Sequence, residues 1–170
     1  MKKMTADERR ATAALSSIMS LRMLGLFMIM PVFTLYAEKL AGATPNLIGI
    51  ALGVYGLTQG LLQIPFGMAS DYLGRKKVIA FGLVLFAIGS VWAACAHTIS
   101  GVILGRALQG AGAIGSTVMA LLADLTREEQ RTKAMAGIGM TIGASFSLAM
   151  ILGPVLNDWI SVPGIFWLTT

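Results

Sequence analysis

Gly67-Met-Ala-Ser-Asp71-Tyr-Leu-Gly74-Arg75-Lys76-Lys77 is a charged stretch between two strongly apolar runs. The run before it, Asn46–Phe66, and the run after it, Val78–Ala96, each reach the roughly 20 residues that a helix needs to cross a bilayer. The stretch therefore reads as a loop of about ten residues where two transmembrane helices meet water. Gly67 and Gly74 permit tight turns or close helix approach. Asp71 suits the N-terminus of a facing helix, where the macrodipole favours negative charge. Arg75 offers a planar fork that matches a carboxylate. Lys76 and Lys77 extend the basic cluster and read first as anchors at anionic headgroups.

Outward from this stretch the pattern repeats. Apolar spans are expected at about Leu15–Tyr36, Asn46–Phe66, Val78–Ala96, Ser100–Ala123 and Ala134–Leu156, with a sixth opening at Ile165. The 170 residues are 56% hydrophobic and only 12% charged, with a mean hydropathy of +0.77. A soluble domain carries roughly twice that charge, so most of this surface must face lipid. Residues 1–14 read as a polar cytoplasmic segment and 15–170 as a transmembrane bundle. Ten of the thirteen Lys and Arg fall on one side of the spans, only Lys39 falls on the other, and Arg22 and Arg106 lie within spans. This bias predicts a cytoplasmic N-terminus, with the Asp71 and Asp124 loops on the same side. The loops at Glu38–Pro45, His97–Ile99 and Asn157–Pro163 then face outward. The net charge of +5 is spread between apolar runs and is not a nucleic-acid patch.

Cys95 and His97 are the sole residues of their types, so neither a disulfide within the chain nor a Cys/His metal site is expected. No nucleophile–base pair stands out, and no enzyme or cofactor is expected. Gly49, Gly53, Gly56 and Gly60 share one face of the second span, a pattern that reads first as tight helix packing. Arg106 lies roughly 9 Å inside the fourth span at 1.5 Å per residue. A charge there must find partners or a cavity, and Gln109 and Gly110 extend its face. Arg22 is open to two readings, snorkelling or a cavity role. Gln59 and Gln63 share a face that either contacts substrate or cross-links helices. No Asp or Glu lies in the middle of any span.

Three elements together resemble the major facilitator superfamily. The first is Gly67-x-x-x-Asp71-x-x-Gly74-Arg75-Lys76, between the second and third spans. The second is Arg106-Ala-Leu-Gln109-Gly110-Ala-Gly112, in the fourth. The third is Gly153-Pro154, the core of an element of antiporter members. Ser20-Leu-Arg-Met-Leu-Gly25 and Asp124-Leu-Thr-Arg-Glu128 are similar to the YajR-type branch of bacterial drug exporters. The chain departs from the pattern at Tyr72, where many members have arginine, and at Asn157-Asp158, where Gly-Gly is common.

The resemblance implies an all-α membrane fold in a bacterial inner membrane. This chain would supply the N-terminal six-helix half, with five complete helices and the start of the sixth. The family has twelve spans with the substrate site between two halves, so a C-terminal half is implied as a partner. Alternating access would export small amphipathic solutes, with H+ as the implied coupling ion. Coupling would use the rim carboxylates, or a group in the other half, or no proton at all. Arg75 and Asp124 are expected to form a partly buried pair at a cytoplasmic gate, with Asp71 reaching the other half. The alternative is a non-transporting remnant or an assembly half-unit.

Overall fold

The computed structural model describes residues 4–170, so Lys2 and Lys3, two of the basic residues in the orientation argument, lie outside the described residues. Helix α1 spans Ala6–Ala37 and starts well before the apolar run. Its start is a reciprocal cap. The Thr5 hydroxyl accepts from the Glu8 N–H at 3.3 Å, and the Glu8 carboxylate accepts from the Thr5 N–H at 2.7 Å. Thr44 caps α2 (Pro45–Leu73), whose first residue is a proline pre-set for the helical φ. The others are α3 (Arg75–Cys95), α4 (Ile99–Ala111), α5 (Gly115–Leu125) and α6 (Glu128–Leu168). The described residues contain no strand. A single bridge between Ala41 and Thr98 ties together two connections at one end of the bundle. With α4 and α5 taken together, five segments are long and apolar enough to cross a membrane.

Helix α1 packs along α6, and α4 lies between α2 and α3. One apolar cluster, with Phe33, Ile99, Val102 and Phe166, fills the end near the Ala41–Thr98 bridge. A second, with Leu15, Ile114, Val118, Leu122 and Ile138, fills the end near Gly74. Leu57, Leu61, Ile64 and Met68 of α2 and Met140, Ile151 and Trp159 of α6 stay exposed. Apolar side chains facing outward suit lipid, where dispersion between close-packed backbones holds the helices together.

Four sequence expectations change. The charged loop of about ten residues is a single residue. Helix α2 runs on through Gly67 and Asp71, and only Gly74 separates it from α3. Its φ of +95° is a conformation that side-chain-bearing residues rarely adopt, which is why glycine stands there. The fourth span is not continuous: it breaks at Gly112–Ile114, between α4 and α5. Close packing requires glycine beside the break. A Cβ on Gly110 would collide with the Tyr55 carbonyl and the Thr58 hydroxyl, and one on Gly112 with the Gly82 carbonyl. Next, the expected outer loop at Asn157–Pro163 is mostly helical. The chain turns there at Ser161, whose φ of 59° and ψ of 173° break the helix before Pro163 restarts it. Finally, Gly49, Gly53, Gly56 and Gly60 have nothing within 4 Å of an added Cβ. Among the described residues, nothing packs against the Cβ positions of these four glycines.

Candidate functional site

The one-residue junction at Gly74 places Asp71 in the last turn of α2 and Arg75 in the first turn of α3. The Arg75 Nη1 lies 2.6 Å from the Asp71 Oδ1 and donates to the Ser70 hydroxyl, also at 2.6 Å. Its Nε donates to Asp124 Oδ2 at the end of α5, at 3.2 Å. One guanidinium thus clamps three helix ends. The Arg75–Asp124 pair has the expected partners, but it is not a buried pair. Arg75 is 23% exposed, Asp124 56% and Asp71 55%. Within this chain Asp71, expected to reach the other half, pairs with Arg75, and it remains 55% exposed. Gly67 lets α5 approach, with the Ser116 hydroxyl 3.2 Å from where a Cβ would be. Lys76 is exposed and takes no part in the clamp.

A second site lies inside the bundle. Arg106 is 1% exposed. Its Nε donates to the Ala51 carbonyl at 3.4 Å and its Nη1 to Gln109 Oε1 at 3.3 Å, and the guanidinium sits 5.0 Å from the Tyr55 ring centroid. Gln109 passes the link to the Ser90 hydroxyl at 2.8 Å, and Ser90 donates to the Phe86 carbonyl. The polar chain therefore stitches α2, α4 and α3 together. Arg22 is also buried, at 4% exposed, and does not snorkel. Its Nη2 donates to Gln59 Oε1 at 3.3 Å, and its guanidinium lies 5.3 Å from the Phe86 ring centroid. Gln59 thus joins α2 to α1. Gln63 accepts from the Ser116 hydroxyl through its backbone carbonyl, at 2.8 Å, and its side chain lies against Gly115. Gly153 of α6 packs against the Met28 carbonyl and Pro31 of α1, and Pro154 follows inside the helix. That contact is helix packing.

A third feature was not anticipated from the sequence. Glu8 precedes the apolar run and is 5% exposed. It accepts from the Arg127 backbone N–H at 3.0 Å, from its Nε at 2.9 Å and from its Nη2 at 3.0 Å. The hydrogen bond from the Arg127 side chain, with the backbone N–H adding to it, holds the Glu8 carboxyl well below the usual carboxylate range. The latch fixes the start of α1 against the α5–α6 turn, three residues after Asp124. The [Ser/Thr]-x-x-Glu spacing Thr5–Glu8 was the available signal for the cap, but nothing in the spacing points to Arg127.

The helical architecture and these clusters coincide with a family match. The model of the Major Facilitator Superfamily fits residues 15–170. The chain is 57% identical over 166 residues to the inner membrane transport protein YajR of Escherichia coli, covering 98% of this chain and 37% of that protein. It is 44% identical over 162 residues to an uncharacterized transporter of Buchnera aphidicola, covering 95% of this chain and 42% of the relative. It is also 29% identical over 140 residues to the quinolone resistance protein NorA of Staphylococcus aureus, covering 81% of this chain and 35% of that protein. The chain therefore spans less than half the length of these relatives. A family match over nearly the whole chain, on an all-helical bundle with five membrane-length segments, makes this chain a member of the major facilitator superfamily.

Proposed function

We propose that this chain forms the N-terminal bundle of a proton-coupled exporter of small amphipathic solutes, working by alternating access with a C-terminal bundle. The observation that carries the reading is the Arg75 clamp. It joins the ends of α2, α3 and α5 through exposed, exchangeable charge pairs at one end of the bundle. A gate needs contacts that hold one state and release in another, and a partly solvated ion pair can be exchanged at small cost. Deeply buried groups such as Arg106 and Gln109 suit the opposite role, a rigid body that moves as a unit. The relatives support transport, and NorA's name supports drug-like solutes.

The test uses the full-length gene in bacteria lacking their main exporters. Cells carrying it should accumulate less ethidium and less of a fluoroquinolone than vector controls. A protonophore should abolish the difference, and Asp124→Asn should remove most of it. Equal accumulation with and without the gene, for a broad panel of amphipathic compounds, favours the non-transporting half-unit.

A further inference from the structure

Ser70 is the buried member of the Arg75 clamp. It is 1% exposed, whereas Asp71 and Asp124 are each more than half exposed. The direction of its hydrogen bonds follows from the chemistry of the groups. A guanidinium only donates, and a carbonyl only accepts. The Ser70 hydroxyl therefore accepts from Arg75 Nη1 at 2.6 Å and gives its one proton to the Gly67 carbonyl, also at 2.6 Å. Its backbone carbonyl accepts from the Gly74 N–H at 3.2 Å. The hydroxyl and the carbonyl of one residue thus both reach the junction between α2 and α3.

The Arg75 fork shows what this contact does. Nη1 lies 2.6 Å from both the Ser70 hydroxyl and the Asp71 carboxylate. A guanidinium is planar and rigid, so holding Nη1 limits where the rest of the fork can lie. Nε then falls 3.2 Å from Asp124 Oδ2. Two of the three partners are exposed carboxylates, which water and salt replace at small cost. The third is walled off from water, and Nη1 finds no substitute for it without leaving the site.

We propose that Ser70 is the positioning residue of the clamp: its buried hydroxyl aims the Arg75 fork at Asp124 and keeps it aimed while the exposed pair exchanges. This rests on the gate reading above and adds the residue that lets the pair re-form. Asp124 is released and recaptured by a guanidinium that stays in place between the two events.

The experiment measures modification of arginines in the purified full-length protein by phenylglyoxal, which attacks guanidinium nitrogens, read peptide by peptide by mass spectrometry. Arg9 is exposed and gives the rate of an unprotected arginine. Arg127 is held by Glu8 and reports whether the bundle stays intact. In wild type Arg75 should react about tenfold or more slowly than Arg9, the scale of a hydrogen bond to a charged group, and added salt should change this little. Ser70→Ala should remove most of the protection at Arg75 while Arg127 keeps its rate, and ~0.5 M salt should remove the remainder. Asp124→Asn should expose Arg75 less than Ser70→Ala does. Wild-type Arg75 as reactive as Arg9, or protection unchanged in Ser70→Ala, overturns the proposal. So does an equal rise at Arg127, which would make Ser70 a packing residue, and so does a larger effect from Asp124→Asn. If Ser70→Ala does not fold, Ser70→Cys decides by the same comparison, since its sulfur is only a weak acceptor.

Flux separates this inference from the gate reading. In proteoliposomes Ser70→Ala should lower maximal flux by about threefold to tenfold, the scale of one hydrogen bond, and leave the half-saturating solute concentration unchanged. Lost protection with unimpaired flux removes the gate reading and leaves the positioning role. Retained protection with impaired flux removes the positioning role and leaves the gate.

Discussion

Arg75 holds Asp71 and Asp124 at once, and the exposure of all three sets the size of the effect. Surface ion pairs contribute about 0–1 kcal/mol, so the 3–5 kcal/mol scale of a broken buried pair does not apply here. Asp124→Asn should shift the melting temperature little and reduce transport by the full-length protein strongly. Arg75→Ala should do the same, with a larger stability loss because Ser70 and Asp71 lose a partner too. Combined, the two changes should impair transport no more than the worse single change, since the residues act as a unit. Additive losses in the cycle would show two independent residues and break the gate assignment. Glu8 follows a different rule. Its folded-state pKa is depressed by Arg127, so its stabilising effect is present above the ordinary carboxylate pKa and is lost as pH falls through the folded value. Glu8→Gln should lower the thermal midpoint at neutral pH, and the gap to wild type should close in strongly acidic buffer. A gap independent of pH would mean that the latch is steric.

At the level of helices, glycines divide into two groups that the sequence does not distinguish. Gly110 stands against the Tyr55 carbonyl, whereas Gly56 faces open space. Gly110→Ala should therefore cost about 1–3 kcal/mol through overpacking. Gly56→Ala should be neutral or stabilising by up to about 1 kcal/mol in the isolated bundle. Measuring both by denaturant unfolding in detergent checks the packing directly. A Gly56→Ala variant that loses transport in the full-length protein would mark that face as a contact with the other bundle. The spans themselves were legible, because crossing a bilayer demands a length of apolar sequence that nothing else requires. Their interruptions were less so. The need for glycine at Gly112, beside the break, depends on the backbone that lies opposite, and that partner, Gly82, is on another helix. The Asp71 stretch looked like a loop because it is charged, yet a helix that leaves the membrane continues in water when its last turns are capped or clamped. Arg106, Gln109 and Arg22 were legible as intramembrane polar groups. Their partners were not, because Gln59 and Ala51 lie on helices whose rotation the sequence does not specify. Glu8 and Arg127 are 119 residues apart, and each alone passes for an ordinary surface charge.

On the scale of the whole molecule, the orientation rests on the Lys and Arg bias. In a background with Cys95 replaced, a cysteine at Thr44 should react with an impermeant maleimide added outside intact cells, and one at Lys76 should not. The reverse pattern would place the Arg75 clamp on the outer face. The exposed apolar faces of α2 and α6, and a chain covering 37% of YajR, fit a bundle that works with another. This chain alone, in liposomes, should then show no solute flux above empty vesicles, and saturable flux would point to a homodimeric half-transporter. The most direct measurement is made on the full-length protein in proteoliposomes with an imposed pH gradient. Solute movement should be saturable, should follow the gradient when its sign is reversed, and should collapse in Asp124→Asn protein that remains folded. Flux that ignores the gradient, or that Asp124→Asn leaves intact, would contradict proton-coupled transport gated at the Arg75 clamp.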